Sequence, residues 1–311
     1  MNLLPGYRII QKSHEGPNTV IYRAQQEQDG HSVILKAFQP DAHPAKAFSQ
    51  AQHEYHITRS LNADNAESAI LSYRLDQYQN TPWIVFEDFG GESLDRAMQS
   101  RAFGLIERLQ IAIKITQALG QIHALNIIHN TINPSHIVLN TETGQLKLIG
   151  FGLATVFKQE QPTLESSNSL EGSLAYLSPE QTGRVGRLLD QRSDLYSLGV
   201  TLYELFGQRL PFVSTDPMEL VHCHIARAPM PLRVLNADIP KPLSDIVLKL
   251  LAKAPEQRYQ SAWGLQCDLE QCLSLAEFYS AQARPFSAME TFPLARRDIP
   301  NGFQIPKKLY G

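Results

Sequence analysis

The sequence predicts an α+β fold in which a β-rich region precedes a helical one. Short β-branched and aromatic segments fill the first third of the chain, and longer stretches with helical spacing of apolar residues follow. The pair Gly90-Gly91 lies between the two regions and is typical of a link. Such an architecture predicts two lobes with a cleft between them.

The β-rich region is predicted to hold five strands and one helix. The helix, at residues 44–61, carries Phe48, Ala51 and Tyr55 at helical intervals. Each strand is short, is rich in β-branched or aromatic residues, and is separated from the next by turn residues. The predicted strands are residues 8–11, 19–24, 32–38, 69–75 and 83–86.

The region after Gly91 is predicted to be helical. Residues 105–125 form an amphipathic helix, and residues 194–206 are apolar on nearly all sides, which indicates a buried helix. Residues 242–252 and 262–278 are further periodic segments. The predicted domains are residues 1–88, residues 89–280, and a segment at 281–311 that is rich in Pro, Arg and Lys and forms a linker or strap toward a following domain.

The composition excludes several classes of function. The 311 residues include 28 Lys+Arg and 31 Asp+Glu, so the net charge of -3 offers no basic surface for nucleic acid. No apolar stretch approaches the ~20 residues that a membrane span needs, and no signal peptide is visible, so a cytoplasmic protein is predicted. No metal site is predicted, because His222-Cys223-His224 has no second ligand pair at zinc spacing.

Seven motifs resemble those of protein kinases, in the family's order, over residues 7–275. Residues 33–36 (VILK) resemble the strand that carries the phosphate-contacting lysine, and Glu54 lies where the family has its αC glutamate. The others are residues 128–138 (IHNTINPSHIV, the catalytic loop), 149–152 (IGFG, the D-F-G motif), 172–180 (GSLAYLSPE, the end of the activation segment), 193–199 (SDLYSLG, the start of the F helix) and Arg258.

This resemblance implies the bilobal protein-kinase fold, with a five-stranded sheet and helix αC in the N-lobe. Residues 178–184 and 303–311 further resemble the Ser/Thr-kinase-like domain that opens some bacterial hybrid signalling proteins, ahead of an AAA-type ATPase and a sensor histidine kinase. The implied partners are later domains of the same polypeptide or another signalling protein.

At four positions the sequence departs from the family's catalytic pattern. Thr131 replaces the catalytic-loop aspartate, Asn133 the loop lysine, His136 the metal-binding asparagine and Gly150 the D-F-G aspartate. Threonine is no base near neutral pH, and loss of a general base costs about 10²–10⁴ in rate. Glycine offers Mg²⁺ no side-chain ligand. The sequence therefore predicts a pseudokinase: a regulatory or interaction module with no catalytic residues, not an enzyme.

Two alternatives stay open at this point. One is a divergent active Ser/Thr kinase, in which another carboxylate such as Glu15 or Asp190 takes over a lost role. The other is a scaffold whose cleft is filled by its own side chains. The first predicts stabilisation by ATP that depends on a divalent metal, and the second predicts no stabilisation under any condition.

A nucleotide cleft is predicted from the residues that are kept. Lys36 and Glu54 are present, whereas only Gly16 survives of the three glycines in the phosphate-covering loop, and Ile34 is larger than the family's alanine. No cofactor is predicted to be required. Two alternatives stay open for the cleft: weak ATP binding that does not need Mg²⁺, and no nucleotide binding. The cleft residues are Gly16, Ile21, Ile34, Lys36, Glu54, Glu87, Phe89 and Val138.

Overall fold

The computed structural model describes residues 4–39, 44–64, 66–157, 174–186 and 189–299. It contains two compact units: residues 1–92 with 138–154, and residues 93–137 with 155–311. The predicted domain boundaries at residues 88 and 280 stay predictions. Residues 172–173 of the activation-segment motif and the predicted resemblance at 303–311 lie outside the described residues.

The first unit is a five-stranded antiparallel sheet with one long helix, as the sequence predicts. The sheet has the order β1-β2-β3-β5-β4, and Lys36 of β3 is paired in register with Ile21 of β2 and Ile84 of β5. The elements are β1 Tyr7–Glu15, β2 Thr19–Gln26, β3 Ser32–Phe38, α1 Pro44–Ala63, β4 Ser72–Tyr78 and β5 Thr81–Glu87.

Alternation along the strands builds a core on each face of this sheet. Val33 and Leu35 of β3 contribute to one buried cluster together with Val85 of β5. Ile84 and Phe86 point the opposite way and pack into a second cluster that includes residues of α1. Burial on both faces explains why β5 is apolar at consecutive positions.

The fourth strand begins three residues later than predicted. Residues 69–75 were expected to be extended together, but β4 runs from Ser72 to Tyr78. Ala69 instead forms an isolated parallel bridge with Leu148, and Ile70 N donates to the Leu148 carbonyl at 3.1 Å. The apolar segment is therefore divided between two different partners.

The remaining elements include the helices of the second unit. Helix α4 is its buried centre, and Gly199 in this helix allows close approach to α7, because a Cβ there would lie 2.6 Å from the Cβ of Leu250. None of the described helices is long and apolar enough to cross a membrane. The elements are β6 Glu92–Ser93, α2 Leu94–Ser100, α3 Leu105–Ala124, β7 Ile127–Ile128, β8 Ile137–Leu139, β9 Leu146–Leu148, β10 Thr155–Val156, α4 Gln191–Gly207, α5 Pro217–Ala226, α6 Leu232–Leu235, α7 Lys241–Leu250 and α8 Ala262–Ala281.

Residues 282–299, which we call the C-terminal strap, lie against α8 and the loop before it. The Asp298 carboxylate accepts hydrogen bonds from Gln260 N at 2.6 Å, Ser261 N at 3.0 Å and Ser261 Oγ at 2.8 Å. Tyr279 of α8 donates its hydroxyl to the Ala288 carbonyl at 2.9 Å, and Met289 is buried. This part of the predicted linker or strap is therefore packed on the helical unit.

Candidate functional site

The structure places the predicted site residues in two separate groups. Thr131, Asn133 and His136 belong to the second unit. Gly150 and all eight predicted cleft residues belong to the first unit, so the sheet and its helix position most of the candidate site.

Lys36 and Glu54 form an ion pair in the first unit. Lys36 Nζ, on β3, lies 2.8 and 2.7 Å from the two carboxylate oxygens of Glu54, on α1. Glu54 is 2% exposed. A Cβ on Gly152 would lie 3.2 Å from Glu54 Oε2, so the glycine leaves room for this carboxylate beside residues 151–153. The lysine is thereby held in one position on the sheet.

The loop between β1 and β2 is a tight turn. Gly16 N donates to the Thr19 carbonyl at 2.8 Å, and Glu15 is paired with Val20 across the two strands. Ile21 follows on β2, opposite Lys36. The turn is shaped by this backbone bond around the one remaining glycine of the predicted phosphate-covering loop.

Hydrogen bonds and an ion pair hold the predicted hinge at residues 87–89 in place. The Glu87 carboxylate accepts from Leu71 N at 2.7 Å and pairs with Lys147 Nζ. The Phe89 carbonyl accepts from Asn140 Nδ2 at 2.7 Å. These bonds fix the backbone of the segment from β5 onward, and sequence reasoning missed both Lys147 and Asn140.

Phe89 and Val138 both lie beside Gly91. A Cβ on Gly91 would come within 2.7 Å of Val138 Cγ1 and 2.9 Å of the Phe89 ring, so only glycine fits between them. Ile34 and Phe89 pack against the same apolar cluster under the sheet. The predicted cleft residues of the hinge are thus brought together with Ile34.

In the second unit, Asp194 holds the loop that resembles the catalytic loop. Its carboxylate accepts from His129 N at 2.8 Å and Asn130 N at 2.7 Å, and it lies 2.9 Å from His123 Nε2. Asn130 has a φ of 66°, a left-handed conformation that asparagine tolerates better than most residues. The buried carboxylate therefore fixes the backbone on which Thr131 is placed.

Asn133 and His136 are engaged with the backbone of the same loop. Asn133 Oδ1 accepts from Ser135 N at 2.9 Å and from His136 N at 3.2 Å, so Asn133 caps the short turn that follows it. His136 Nδ1 lies 2.8 Å from the Thr131 carbonyl and 3.3 Å from Asn133 Nδ2. Thr131 Oγ1 lies 3.1 Å from His129 Nδ1.

These residues do not fit a magnesium ion at the two positions where the kinase fold holds one. Gly150 has no side chain, and His136 would offer an imidazole where Mg²⁺ prefers oxygen ligands. The described residues also contain no group of three His, Cys, Asp or Glu side chains arranged to hold a metal ion. We therefore derive no catalytic step through a metal.

The helical unit retains a second structural feature of the motifs. Arg258 donates to both oxygens of Glu180, at 2.6 and 2.9 Å, and both side chains are almost completely buried. Ser193 Oγ also donates to Glu180, at 2.8 Å. This pair connects the short turn Glu180–Thr182 to α4 and to the loop before α8.

Comparison with known proteins agrees with this geometry. The model of the protein kinase domain matches residues 7–269. The chain belongs to the protein kinase family. Its kinase domain is 35% identical over 257 residues to "Probable serine/threonine-protein kinase SCO3848" of Streptomyces coelicolor, covering 81% of this chain and 38% of that protein. It is 30% identical over 266 residues to "Probable serine/threonine-protein kinase CPE1738" of Clostridium perfringens, covering 85% and 38%.

A third relative of the kinase domain has a different name. "Hybrid signal transduction histidine kinase G" of Dictyostelium discoideum is 34% identical over 230 residues, which cover 52% of this chain and 7% of that protein. The chain spans less than two fifths of the length of the two bacterial relatives.

The comparisons contradict the prediction of a pseudokinase that is not an enzyme. Relatives that match more than four fifths of the chain are named serine/threonine-protein kinases, which favours the alternative of a divergent active kinase. The prediction weighed the four changed side chains and gave too little weight to the frame around them. Phosphoryl transfer depends chiefly on positioning and charge, and the Lys36–Glu54 pair and the Asp194-held loop supply parts of both.

Proposed function

We propose that this kinase domain transfers the terminal phosphoryl group of ATP to serine or threonine hydroxyl groups of proteins. The observation that carries the proposal is the match over most of the chain to relatives named serine/threonine-protein kinases. The Lys36–Glu54 pair supports it, because an oriented lysine is the group that contacts ATP phosphates in this fold.

The chemistry asks for little covalent work from the protein. In the largely dissociative transition state, the bond from the γ-phosphorus to the β–γ bridging oxygen breaks before the bond to the substrate oxygen is far advanced. Deprotonation of the hydroxyl is then late, and the proton can pass to water. A domain without the catalytic-loop carboxylate is therefore expected to be slow, by about 10²–10⁴ relative to one that has it.

We further propose that ATP is held chiefly by the hinge backbone and by Lys36, without metal-binding side chains from Gly150 or His136. The fixed backbone at residues 87–89 supports binding of the base, because adenine is held by backbone groups in such a segment. The Ile34 side chain is larger than the alanine of the family and leaves less room for the adenine base, so we expect ATP to bind weakly.

The domain is also proposed to act within a larger signalling system, on later domains of its own polypeptide or on another signalling protein. Two observations support this: the chain matches only 38% of the named kinases, and part of it resembles a protein named a hybrid signal transduction histidine kinase.

A phosphoryl-transfer assay tests the proposed activity. The purified chain is incubated with ATP and Mg²⁺ or Mn²⁺, and phosphoserine and phosphothreonine are measured by mass spectrometry on the chain and on a generic protein substrate. Lys36→Met is expected to lower the rate at least about tenfold, since it removes a charged contact to the phosphates. Lys46→Met changes an exposed lysine on α1, the helix that carries Glu54; it is the matched control and should leave the rate unchanged.

A gain-of-function variant tests the chemical reasoning. Thr131→Asp with His136→Asn and Gly150→Asp restores the family's three polar side chains, and we expect the rate to rise by about 10²–10⁴. Gly150 has a φ of 83°, which aspartate tolerates as an isolated residue. If the unmodified chain incorporates no phosphate, or if Lys36→Met transfers phosphate as fast as Lys46→Met, the proposed function is wrong.

A further inference from the structure

An ion pair joins strand β2 to the predicted hinge. Arg23 Nε, on β2, lies 2.7 Å from Asp88 Oδ2, and Arg23 Nη2 donates to Asp88 Oδ1 at 3.2 Å. The same Nη2 also donates to the Gly91 carbonyl at 3.2 Å. We call this group, Arg23 with Asp88 and the Gly91 carbonyl, the β2–hinge latch. All three residues belong to the first unit.

The latch lies on the face of the sheet that carries predicted cleft residues. Successive side chains of a strand alternate between the two faces, so Arg23 and Ile21 of β2 share a face. Arg23 is paired with Ile34 and Ile21 with Lys36, and side chains paired directly across strands also share a face. Ile34 packs in one apolar cluster with Phe89 of the hinge. Arg23 therefore borders the residues predicted to hold adenine.

The hinge end of the latch is itself held in place. The Asp88 side chain is 7% exposed, and its Oδ1 also accepts from Gly90 N at 3.0 Å. Gly90 has a φ of 75°, a left-handed conformation that favours glycine. The Phe89 carbonyl accepts from Asn140 Nδ2 at 2.7 Å. The hinge backbone is thus held from two sides, and Arg23 supplies the contact from β2.

The geometry of the latch differs from that of an exposed surface ion pair. A planar guanidinium that contacts both oxygens of a carboxylate fixes direction as well as distance. In the exposed pair of Arg74 with Asp76 on β4, the side chains are 51% and 34% exposed, and pairs of this kind contribute little. The Asp88 carboxylate is shielded from water by comparison, so the latch can set the separation between β2 and the hinge.

We infer that Arg23 is a positioning residue for the nucleotide. The latch holds β2 and the hinge backbone at one separation, so the adenine base binds without first ordering these two segments. Its effect is on the base of the nucleotide, whereas the effect of Lys36 is on the phosphates. This inference rests on the proposed nucleotide binding of the domain and names a residue that supports it.

Titration of the whole chain with ATP and with adenosine, in the absence of divalent metal and followed by ligand-observed NMR, tests the inference. Arg23→Met should raise the Kd of both ligands about tenfold and by the same factor, because the hinge must then be ordered on binding. Lys36→Met should raise the Kd of ATP and leave that of adenosine unchanged, since adenosine has no phosphates. Arg74→Met is the matched control and should leave both Kd values unchanged.

A second variant connects the effect to the ion pair. Asp88→Asn keeps the shape of the side chain and an acceptor for Gly90 N, and it removes the charge that faces Arg23. It should raise both Kd values as Arg23→Met does, and the double variant should bind no more weakly than either single variant. Partial unfolding lowers the concentration of binding sites and not their Kd, so these constants separate a positioning role from a merely structural one. If Arg23→Met does not fold, Asp88→Asn decides in the same way.

Three results would contradict the inference. Equal Kd values for Arg23→Met, Asp88→Asn and the control would show that the latch does not act on the nucleotide, while the proposed nucleotide binding would stand. A rise for ATP alone would place the action of Arg23 at the phosphates. Absence of saturable binding of either ligand to the unmodified chain would overturn both the inference and the proposed nucleotide binding.

Discussion

At the scale of single residues, each nitrogen of the buried Arg258 guanidinium has a hydrogen-bond acceptor. Besides the two bonds to Glu180, its guanidinium donates to the carbonyls of Ala252 at 2.8 Å, Arg192 at 2.9 Å and Lys253 at 3.2 Å. A buried ion pair stabilises a fold only when its remaining donors are satisfied in this way. Removing one partner leaves the other as an uncompensated buried charge.

Arg258→Met is therefore expected to lower the free energy of unfolding by about 3–5 kcal/mol. Urea denaturation followed by circular dichroism measures this loss. Lys241→Met breaks the exposed pair with Asp245 and should cost less than about 1 kcal/mol. Similar losses in the two variants would mean that the Glu180–Arg258 pair is not buried as the structure describes.

His224 predicts how stability changes with pH. Burial and, next, the positive charge of Lys253 lower the pKa of His224 to about 4, and Tyr196 OH lies 3.0 Å from its Nδ1. The unfolded chain, with a histidine pKa of about 6.5, binds more protons between these values. The contribution to stability is therefore complete above pH ~6.5 and is lost as the pH falls toward about 4, by about 3 kcal/mol.

Urea denaturation at several pH values measures this effect. In His224→Gln the decrease in stability between pH ~6.5 and about 4 should be smaller by about 3 kcal/mol than in the unmodified chain. His222→Gln changes an exposed histidine two residues away and should keep the original pH dependence. Identical profiles for both variants would show that His224 is not the group responsible.

At the scale of elements, the start of α8 depends on the C-terminal strap. Ser261 caps this helix by accepting from Gly264 N at 3.0 Å, and Asp298 of the strap in turn binds Ser261. A Cβ on Gly264 would lie 2.3 Å from Asp298 Oδ1 and 2.5 Å from its Cβ. Glycine at this helical position is thus required by the close approach of the strap.

Gly264→Ala should consequently destabilise the chain, whereas glycine to alanine usually stabilises a helix by about 0.5–1 kcal/mol. The added methyl group displaces Asp298 and breaks its bonds to the 260–261 loop, so we expect a loss of about 1–3 kcal/mol in denaturation experiments. Gly120→Ala in α3 is the control, because its Cβ would make an ordinary 3.5 Å contact with Ala262. A gain of stability in both variants would contradict the described position of Asp298.

The elements that were predicted from the sequence are those with a strong local pattern. Alternation and helical spacing located the five strands and the helices α1, α3, α4, α7 and α8 to within a few residues. Helices α2, α5 and α6 were not predicted. They have ten residues or fewer, and helices of this length are stable mainly through tertiary contacts that leave little local signal. Helix α7 also has ten residues, but its buried residues recur at helical spacing, and this pattern made it predictable.

At the scale of the whole molecule, the sequence motifs were sufficient to predict the kinase fold, which is confirmed. They predicted fewer of the residues that form the candidate site. Lys147, Asn140 and Arg23 act on the hinge from 60, 51 and 65 residues away. No spacing along the chain marks such a set, because its members become neighbours only when the chain folds.

The wrong prediction of no enzymatic activity has a related cause. The prediction considered Thr131 and Gly150 singly, each as the loss of one aspartate side chain. Phosphoryl transfer in this fold depends on how the whole domain positions its two reactants. The sequence shows which side chains are absent at the motif positions. It does not show how completely Asp194, Glu54 and Arg258 fix the surrounding backbone and side chains. The hydrogen bonds of these three residues in the structure show this.

The attachment of the strap also has a mechanical consequence. The Asp298 carboxylate holds the strap through three hydrogen bonds, and a pull applied at Ile299 would load them before the contacts of residues 282–294. In an optical-tweezers experiment the strap should detach before α8 begins to unravel, and the tether should lengthen by the extent of up to 18 residues. Tension applied from the carboxyl side would thus extend the strap first, and the helices of the second unit would stay folded until the strap is fully extended.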